Sequence, residues 1–215
     1  MSTITRICFA RHGETDWNAE RRMQGHIDTP LNDHGQAQAR LLAQSLQRAG
    51  HAFDHLYSSD LERAADTAKQ VSSTLGLGIT INPIFRERHV GVLQGLLLDE
   101  APHAAAEVWQ AHLARDIHHD LGGGESIQQF HERAQSALAM LVAAHAGKTI
   151  LVVSHGGTLD MMYRIATKQA LNQARVAVVP NTSLNWIAFD GDAWSVERWA
   201  DTDHLSTLAL DNVEL

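Results

Sequence analysis

The sequence predicts an α/β protein: a three-layer α/β/α sandwich with a mostly parallel sheet and a small helical insertion. Short apolar runs alternate along the chain with longer segments of helical periodicity, a pattern typical of a parallel sheet covered by helices. The run at 149–153 is strongly apolar and β-branched, as expected for a buried strand. With 215 residues, 44% of them hydrophobic, the chain is large enough for one well-buried domain spanning 1–215.

The elements of the first half follow from periodicity and from residues that begin and end helices. The predicted strands span 4–10, 53–57 and 79–81, and the predicted helices span 32–49 and 60–75. Asn32 or Asp33 is expected to cap the first of these helices, and Gly50 to end it. Asp60 is expected to cap the second helix, and Gly76 to end it.

The second half begins with a change of composition at 96–122. Alanine and histidine become abundant there, Pro102 interrupts the pattern and strand signals vanish, which predicts a helical, cap-like insertion. The elements expected after it are helices at 125–145 and 158–167, strands at 149–153, 184–189 and 194–199, and an irregular tail. Three apolar residues of the insertion have helical spacing: Trp109, Leu113 and Ile117. Their shared face is expected to serve as a lid, to pack against the rest of the chain or to form a homodimer contact.

Charge and composition exclude several classes of protein. A formal net charge of -8 argues against a nucleic-acid-binding surface but leaves room for a small anionic substrate. The single cysteine, Cys8, is interpreted as a small buried apolar residue, and a chain without an intramolecular disulfide fits a reducing compartment. With neither a signal-peptide pattern nor an apolar segment of about 20 residues, the expectation is a cytoplasmic protein without a membrane partner.

A histidine follows each of the two most apolar runs. Arg11 and His12 come at the end of 4–10, and His155 follows 149–153. Because ligands bind beyond the carboxyl ends of parallel strands, both histidines are expected at one site. A neutral imidazole can attack phosphorus, while a neighbouring arginine disfavours the imidazolium and binds phosphoryl oxygens. The sequence therefore predicts a paired-histidine site for phosphate.

Three further positions fit such a site. Arg63, in the first turn of a predicted helix, is expected at the same edge of the sheet. Glu87 is placed to protonate a leaving oxygen and then to activate water. Gly156 opens a helix whose backbone N–H groups face an anion. Taken singly, Arg63 is better interpreted as a solvated surface residue or an i,i+3 partner of Asp60 or Asp66, and Glu87 as an ion-pair partner of Arg86 or Arg88.

Taken together, the motifs resemble the histidine phosphatase superfamily, also called the phosphoglycerate mutase-like family, over about 4–189. The resemblance rests on Arg-His-Gly-Glu-Thr-Asp-Trp-Asn at 11–18, Gln-Gly-His-Ile-Asp-Thr-Pro-Leu at 24–31, Ser-Ser-Asp-Leu-Glu-Arg-Ala at 58–64, Arg-Glu-Arg at 86–88 and Ser-His-Gly at 154–156. The four motifs that carry phosphate-pocket candidates, at 11–18, 58–64, 86–88 and 154–156, are in this order and at these strand ends far more specific than one Arg-His-Gly.

The resemblance implies roles for individual residues. His12 would be phosphorylated and Glu87 would be the proton donor, with Arg11, Arg63 and His155 completing the phosphate pocket. The substrate side would include Asn18, Gln24, Gly25, Gly156 and Asn181. The family's chemistry implies a small phosphorylated metabolite as partner and no cofactor or metal.

The same resemblance leaves two reactions open. Mutases usually carry Tyr where this chain has Val90, Lys where it has Leu98 and Asn where it has Gly157. They also carry a paired Arg-Arg, which is missing between 98 and 124. Without cations to hold a bisphosphorylated intermediate, water takes the phosphoryl group more readily, so hydrolysis of a phosphomonoester is expected. A phosphoglycerate mutase using the same site is the alternative.

Two other classes of function also remain open: a binding protein and a metal-dependent hydrolase. A catalytically silent phosphopeptide binder would keep the phosphate pocket without turnover, although His12, His155 and Glu87 are all present. A metallohydrolase is the other reading, although His118, His119 and Asp120 show no recurring ligand spacing.

Overall fold

A computed structural model describes residues 3–206, which contain one six-stranded sheet. The strands are β1 (Thr5–Arg11), β2 (His55–Ser58), β3 (Ile79–Ile81), β4 (Thr149–Ser154), β5 (Leu184–Phe189) and β6 (Trp194–Asp201). The helices are α1 (Asp16–Ala19), α2 (Asp33–Arg48), α3 (Glu62–Leu75), α4 (Ala101–Ala104), α5 (Ala106–Leu113), α6 (Ile127–Ala144) and α7 (Gly156–Thr167). Single 3₁₀ turns lie at Pro83–Phe85, Gly91–Leu93 and Asp203–Leu205.

The strands lie in the order β3-β2-β4-β1-β5-β6. β1 and β4 run parallel from Arg6↔Thr149 to Arg11↔Ser154, and β2 and β3 continue the parallel part. β5 pairs antiparallel with β1, and β6 with β5. The prediction of a mostly parallel sheet is confirmed, and both predicted histidines leave the sheet at the same edge.

Side chains of β1 alternate between two hydrophobic cores, one on each face of the sheet. Ile7 and Phe9 belong to the core that includes residues of α6 and α7, whereas Cys8 and Ala10 belong to the core that includes residues of α2 and α3. This alternation is the period of a strand buried on both faces, and it confirms the three-layer prediction. Cys8 is fully buried, as expected, and burial raises the pKa of its thiol.

The ends of the helices agree with the sequence analysis in some places and differ in others. The Asn32 side chain caps α2 by accepting the Gly35 N–H at 2.8 Å, and Gly76 ends α3 with φ 69°. Asp60 does not cap α3: the cap position is Leu61, which has no side-chain hydrogen bond. The Asp60 carboxylate instead accepts two hydrogen bonds from Arg86, at 2.7 and 2.6 Å. The prediction of an Asp60 cap is therefore wrong.

Other boundaries shift by a few residues. α1 was not expected; Thr15 caps it by accepting the Asn18 N–H. α7 begins two residues before the predicted 158, directly at the end of the β4 segment. β6 continues to Asp201, so the tail is regular for longer than predicted, and its last residues, 207–215, lie outside the described chain.

The insertion at 96–122 contains two short helices, α4 and α5, rather than one long one. Ala101, Leu121 and the preceding Val90 and Leu93 form a small core of their own, against which Trp109 packs. Leu113 stays 58% exposed, so the helical face of Trp109 and Leu113 is only partly covered in the single chain.

A close backbone approach fixes α2 against the segment that follows β1. A β-carbon on Gly35 would overlap the backbone of Glu14, and one on Gly13 would overlap the carbonyl of Gly35. The contact is possible only because both residues lack a side chain, and it holds the His12 segment against the N-terminus of α2.

We therefore expect Gly35→Ala to lower the free energy of unfolding by about 1–3 kcal/mol, since overpacking at a backbone contact forces the elements apart. Gly78→Ala is the matched control: a β-carbon there meets no atom within 4 Å, and the change is expected to be neutral or slightly stabilising. Urea unfolding of the two variants measures both effects. Equal stabilities would contradict the role of this contact.

Candidate active site

A cavity of about 520 Å³ lies at the carboxyl edge of the parallel strands. Six of the residues predicted from the sequence or its family resemblance line it: His12, Asn18, Gln24, Gly25, Arg63 and Glu87. Arg11, His155 and Asn181 are buried next to this lining, and Gly156 begins α7 beside it. The structure therefore brings the ten predicted residues into one region.

His12 is held in one tautomer. Its Nδ1 lies 2.7 Å from the carbonyl oxygen of Gly13, which can only accept, so Nδ1 carries the proton and Nε2 has a lone pair. The pKa of His12 lies well below its ordinary value because the ring is buried, and the charges of Arg63 and then Arg11 add to the effect. His12 is thus a neutral imidazole with an unprotonated nitrogen, as nucleophilic attack requires.

The two arginines are buried, and each is fixed by backbone carbonyls. Arg63 donates to the carbonyl oxygens of Gly25 at 2.8 Å and Ile27 at 3.1 Å. Arg11 donates to Val179 O at 2.7 Å. The sequence analysis assigned the electrostatic effect on His12 to Arg11, but Arg63 is the larger contributor. The interpretation of Arg63 as a solvated surface residue is wrong, because it is only 1% exposed.

His155 lies beside His12, with 5.1 Å between ring centroids. Its Nε2 is 2.9 Å from the Ser59 hydroxyl oxygen, and its buried Nδ1 has no hydrogen-bond partner among the described residues. Burial lowers the pKa of His155 well below the ordinary value, and Arg63 lowers it further. Both rings are therefore uncharged, and the positive charge next to them belongs to arginine.

Glu87 is anchored by backbone N–H groups. Its Oε1 accepts from Arg88 N–H and its Oε2 from Gly157 N–H, both at 2.8 Å. A β-carbon on Gly157 would overlap this carboxylate, so the position of Glu87 depends on a glycine at 157. Of the two arginines predicted as ion-pair partners of Glu87, Arg86 pairs with Asp60, whereas Arg88 contacts the Glu87 carboxylate through its backbone N–H.

Asn18, Gln24 and Asn181 belong to one buried polar network. The Asn181 amide donates to His12 O at 2.9 Å, and Asn18 Oδ1 accepts from Thr15 N–H at 3.2 Å. Gln24 Oε1 accepts from the Thr29 hydroxyl at 2.7 Å and from the Thr15 hydroxyl at 3.1 Å. These bonds tie the 24–31 segment to the residues that follow β1, so the three side chains position His12 and the adjacent cavity wall.

Sequence reasoning missed the rest of the cavity wall. The additional polar residues that line it are Arg21, Arg22, Arg88, Asp99, His112, Arg115, Asp160 and Arg175. Arg115 lies just after α5 and Arg175 lies in the segment between α7 and β5, where no motif marks them. The missing Arg-Arg pair therefore does not leave the cavity without further cations, contrary to the expectation.

Residues 3–206 contain no group of three or more His, Cys, Asp or Glu side chains arranged to hold a metal ion. In the same part of the chain, no helix combines the length and apolar character needed to cross a membrane.

Buried neutral histidines, buried arginines and a carboxylate at the carboxyl edge of a parallel sheet are groups suited to phosphoryl transfer. The sequence model of the histidine phosphatase superfamily (branch 1) matches residues 7–202. The chain belongs to this superfamily.

Relatives with assigned names include phosphatases and mutase-like proteins. Phosphoglycerate mutase-like protein 4 of Arabidopsis thaliana is 40% identical, over 93% of this chain and 86% of that protein. The metal-independent phosphoserine phosphatase of Arabidopsis thaliana is 37% identical, over 97% of this chain and 87% of that protein.

Solved structures show the same fold. Bacillus stearothermophilus YhfR superposes with a TM-score of 0.85 at 29% identity, covering 94% of this chain and 99% of that one. The mycobacterial glucosyl-3-phosphoglycerate phosphatase gives a TM-score of 0.80 at 29% identity, covering 92% of this chain and 99% of that one.

The contact between Gly157 and Glu87 generates a first prediction for the site. Gly157→Ala is expected to displace the Glu87 carboxylate and remove its hydrogen bond to residue 157, lowering kcat by about 10- to 100-fold. Stability should change little, because the displaced group is the end of a flexible side chain. Steady-state kinetics and thermal melting measure the two effects, with Glu87→Gln as the reference for complete loss of the acid. An unchanged kcat would contradict the proposed dependence.

The buried neutral histidines generate a second prediction. Their pKa values are lowered in the folded state, so below about pH 6.5 the unfolded chain binds protons that the folded chain does not. The free energy of unfolding should therefore fall as the pH is lowered from 7.5 to 5.5, by up to about 1.4 kcal/mol per pH unit for each histidine. Urea unfolding across this range should show a shallower fall for the double variant His12→Gln/His155→Gln; identical slopes would refute the assignment.

Proposed function

We propose that this protein is a phosphatase that hydrolyses a small phosphomonoester through a phosphohistidine on His12. The observation that carries the proposal is the unprotonated Nε2 of a buried, neutral His12 beside two buried arginines. A nucleophile and fixed positive charge at one point are what transfer of a dianionic phosphoryl group requires. Membership of the histidine phosphatase superfamily supports the same reaction.

In the first step, Nε2 of His12 attacks phosphorus and the bond from phosphorus to the ester oxygen breaks. Glu87, as the carboxylic acid, gives its proton to that oxygen, so the product leaves as an alcohol. Arg11 and Arg63 stabilise the phosphoryl oxygens through charge-assisted hydrogen bonds. If the Ser59 hydroxyl donates to Nε2 of His155, then Nδ1–H of His155 is left to donate to a phosphoryl oxygen.

In the second step, water attacks phosphorus and the phosphorus–nitrogen bond to His12 breaks. The Glu87 carboxylate takes a proton from this water, which restores the acid, and inorganic phosphate leaves. Nε2 of His12 regains its lone pair, and its Nδ1 keeps its proton on Gly13 O throughout. The remaining predicted residues, Asn18, Gln24, Gly25, Gly156 and Asn181, would position the substrate and the phosphate pocket.

Phosphatase relatives support hydrolysis over the mutase alternative. One relative is named as a phosphoserine phosphatase, and one structural neighbour as a glucosyl-3-phosphoglycerate phosphatase. In a mutase, the phosphoryl group on His12 would pass to a second hydroxyl of the sugar acid instead of to water. Another relative has a mutase-like name, so the two reactions are distinguished by their products.

The wider organisation is part of the proposal. The chain would act as one unit spanning 1–215, with 96–122 as a cap over the cavity. Its partner would be a small phosphorylated metabolite rather than nucleic acid, and its location cytoplasmic. A homodimer contact through the partly exposed face of Trp109 and Leu113 is a further proposal.

The reaction is tested with p-nitrophenyl phosphate and 3-phosphoglycerate. The wild-type protein should release phosphate, and His12→Ala should lower kcat by at least about 10³-fold, because the covalent route is lost. His118→Ala, which removes an exposed histidine, is the matched control and should leave turnover unchanged.

Other outcomes identify the alternatives. Conversion of 3-phosphoglycerate to 2-phosphoglycerate without phosphate release would establish a mutase. Equal turnover by wild type and His12→Ala would favour a phosphate-binding protein. Activity removed by a chelator and restored by zinc would indicate a metallohydrolase.

A further inference from the structure

Positive charge in the cavity exceeds what the phosphate pocket needs. The arginines that line it are Arg21, Arg22, Arg63, Arg88, Arg115 and Arg175, and the lining carboxylates are Glu87, Asp99 and Asp160. Of these charged residues, the proposed reaction uses only Arg63 and Glu87. Arg88, Arg115 and Arg175, here called the cationic wall, therefore need a separate explanation.

His112 lines the cavity together with the three members of the cationic wall. The pKa of its ring is lowered to about 4, first by burial and then by the charges of Arg88, Arg115 and Arg175. The ring is therefore neutral at pH 7 and adds no charge. Its Nδ1 is buried and lacks a hydrogen-bond partner within the described chain, so a further donor or acceptor is available there.

Carboxylates near the cationic wall are already engaged. Asp160 is 3% exposed and pairs at 2.8 Å with Arg164. The same carboxylate is farther from Arg175, at 3.7 Å, and from Arg115, at 3.9 Å. One carboxylate thus faces three guanidinium groups.

Glu125, an acidic neighbour of Arg88, is also bound by Arg133. The Glu125 carboxylate accepts hydrogen bonds from Arg133 at 2.8 and 2.7 Å, while Arg88 donates to the Glu125 backbone carbonyl at 2.8 Å. Glu87, the other carboxylate next to Arg88, is the proposed catalytic acid. Neither acid is thus dedicated to neutralising Arg88.

Burial makes this excess of positive charge unfavourable. Arg88 is 8% exposed, and burial lowers its pKa to about 10. Burial lowers the pKa of Arg115 as well, and the charges of Arg164 and Arg175 oppose its protonation further. Guanidinium groups that are desolvated and close to like charges gain most from an anion.

We infer that the cationic wall binds a second anionic group of the substrate, a carboxylate or another phosphate, while the phosphoryl group to be transferred lies at His12. The inference rests on the proposed function for the first anionic group. The rest of the lining is largely apolar, through Trp17, Met23, Val90, Trp109, Phe130 and Met161, which suits the carbon skeleton between the two anions. The substrate class is therefore a phosphomonoester that carries a second negative charge.

Matched ligand pairs test this inference. 3-Phosphoglycerate and glycerol 3-phosphate differ only by a carboxylate in place of a hydroxymethyl group, and fructose 1,6-bisphosphate differs from fructose 6-phosphate by one phosphate. Calorimetric Kd values are measured on the full chain carrying His12→Ala, so that neither member of a pair is consumed. We expect at least one pair to favour the doubly anionic member by tenfold or more, and the pair that does so identifies the anion.

Substitution of the cationic wall then assigns the selectivity. Arg115→Gln and Arg175→Gln should each reduce the ratio of the two Kd values at least threefold, by weakening the doubly anionic member alone. Arg40→Gln, which removes an exposed arginine of α2, is the matched control and should keep the ratio. Two separate wall variants keep the test decisive if one of them fails to fold, which thermal melting detects.

The inference is overturned if both pairs bind with ratios near one, or if the wall variants keep the ratio of the parent chain. Failure of the proposed function would look different: the wild-type protein would release no phosphate from p-nitrophenyl phosphate, whatever the binding ratios. Binding selectivity and turnover are measured separately, so each hypothesis can fail alone.

Discussion

The parallel pairing of β1 with β4 is the interaction on which the site depends. Its register from Arg6↔Thr149 to Arg11↔Ser154 ends both strands at one level, so the residues that follow them meet. The backbone N–H of His12 donates to Ser154 O at 2.9 Å, which extends the ladder to the first residue of the site. A shift of one residue would move every side chain of β1 to the opposite face and separate the two histidines.

Electrostatics in the site follow from where the charges are placed. Both histidines are buried and neutral, and the positive charge beside them belongs to arginine side chains, so the nucleophile is not lost to protonation. Carbonyl oxygens of Gly25 and Ile27 orient the guanidinium group of Arg63, and the carbonyl oxygen of Val179 orients that of Arg11.

The framework of the fold could be predicted from sequence because it rests on local patterns. The apolar, β-branched run at 149–153 and the capping Asn32 act through their immediate neighbours. The prediction that Asp60 caps α3 was wrong because the Asp60 carboxylate binds Arg86, which is distant in sequence. Similarly, Arg115 and Arg175 join the cavity only through tertiary packing, so no spacing in the sequence marks them. The larger influence of Arg63 on His12 also depends on three-dimensional distance rather than on adjacency in the chain.

Gly157 also constrains how this chain can diverge. A side chain at position 157 and the present position of the Glu87 carboxylate exclude one another, so the two residues cannot vary independently. Introducing the asparagine typical of the mutase pattern at 157 would displace the Glu87 carboxylate from its present position. The pair is thus a point of epistasis: the effect of a substitution at one position depends on which residue occupies the other.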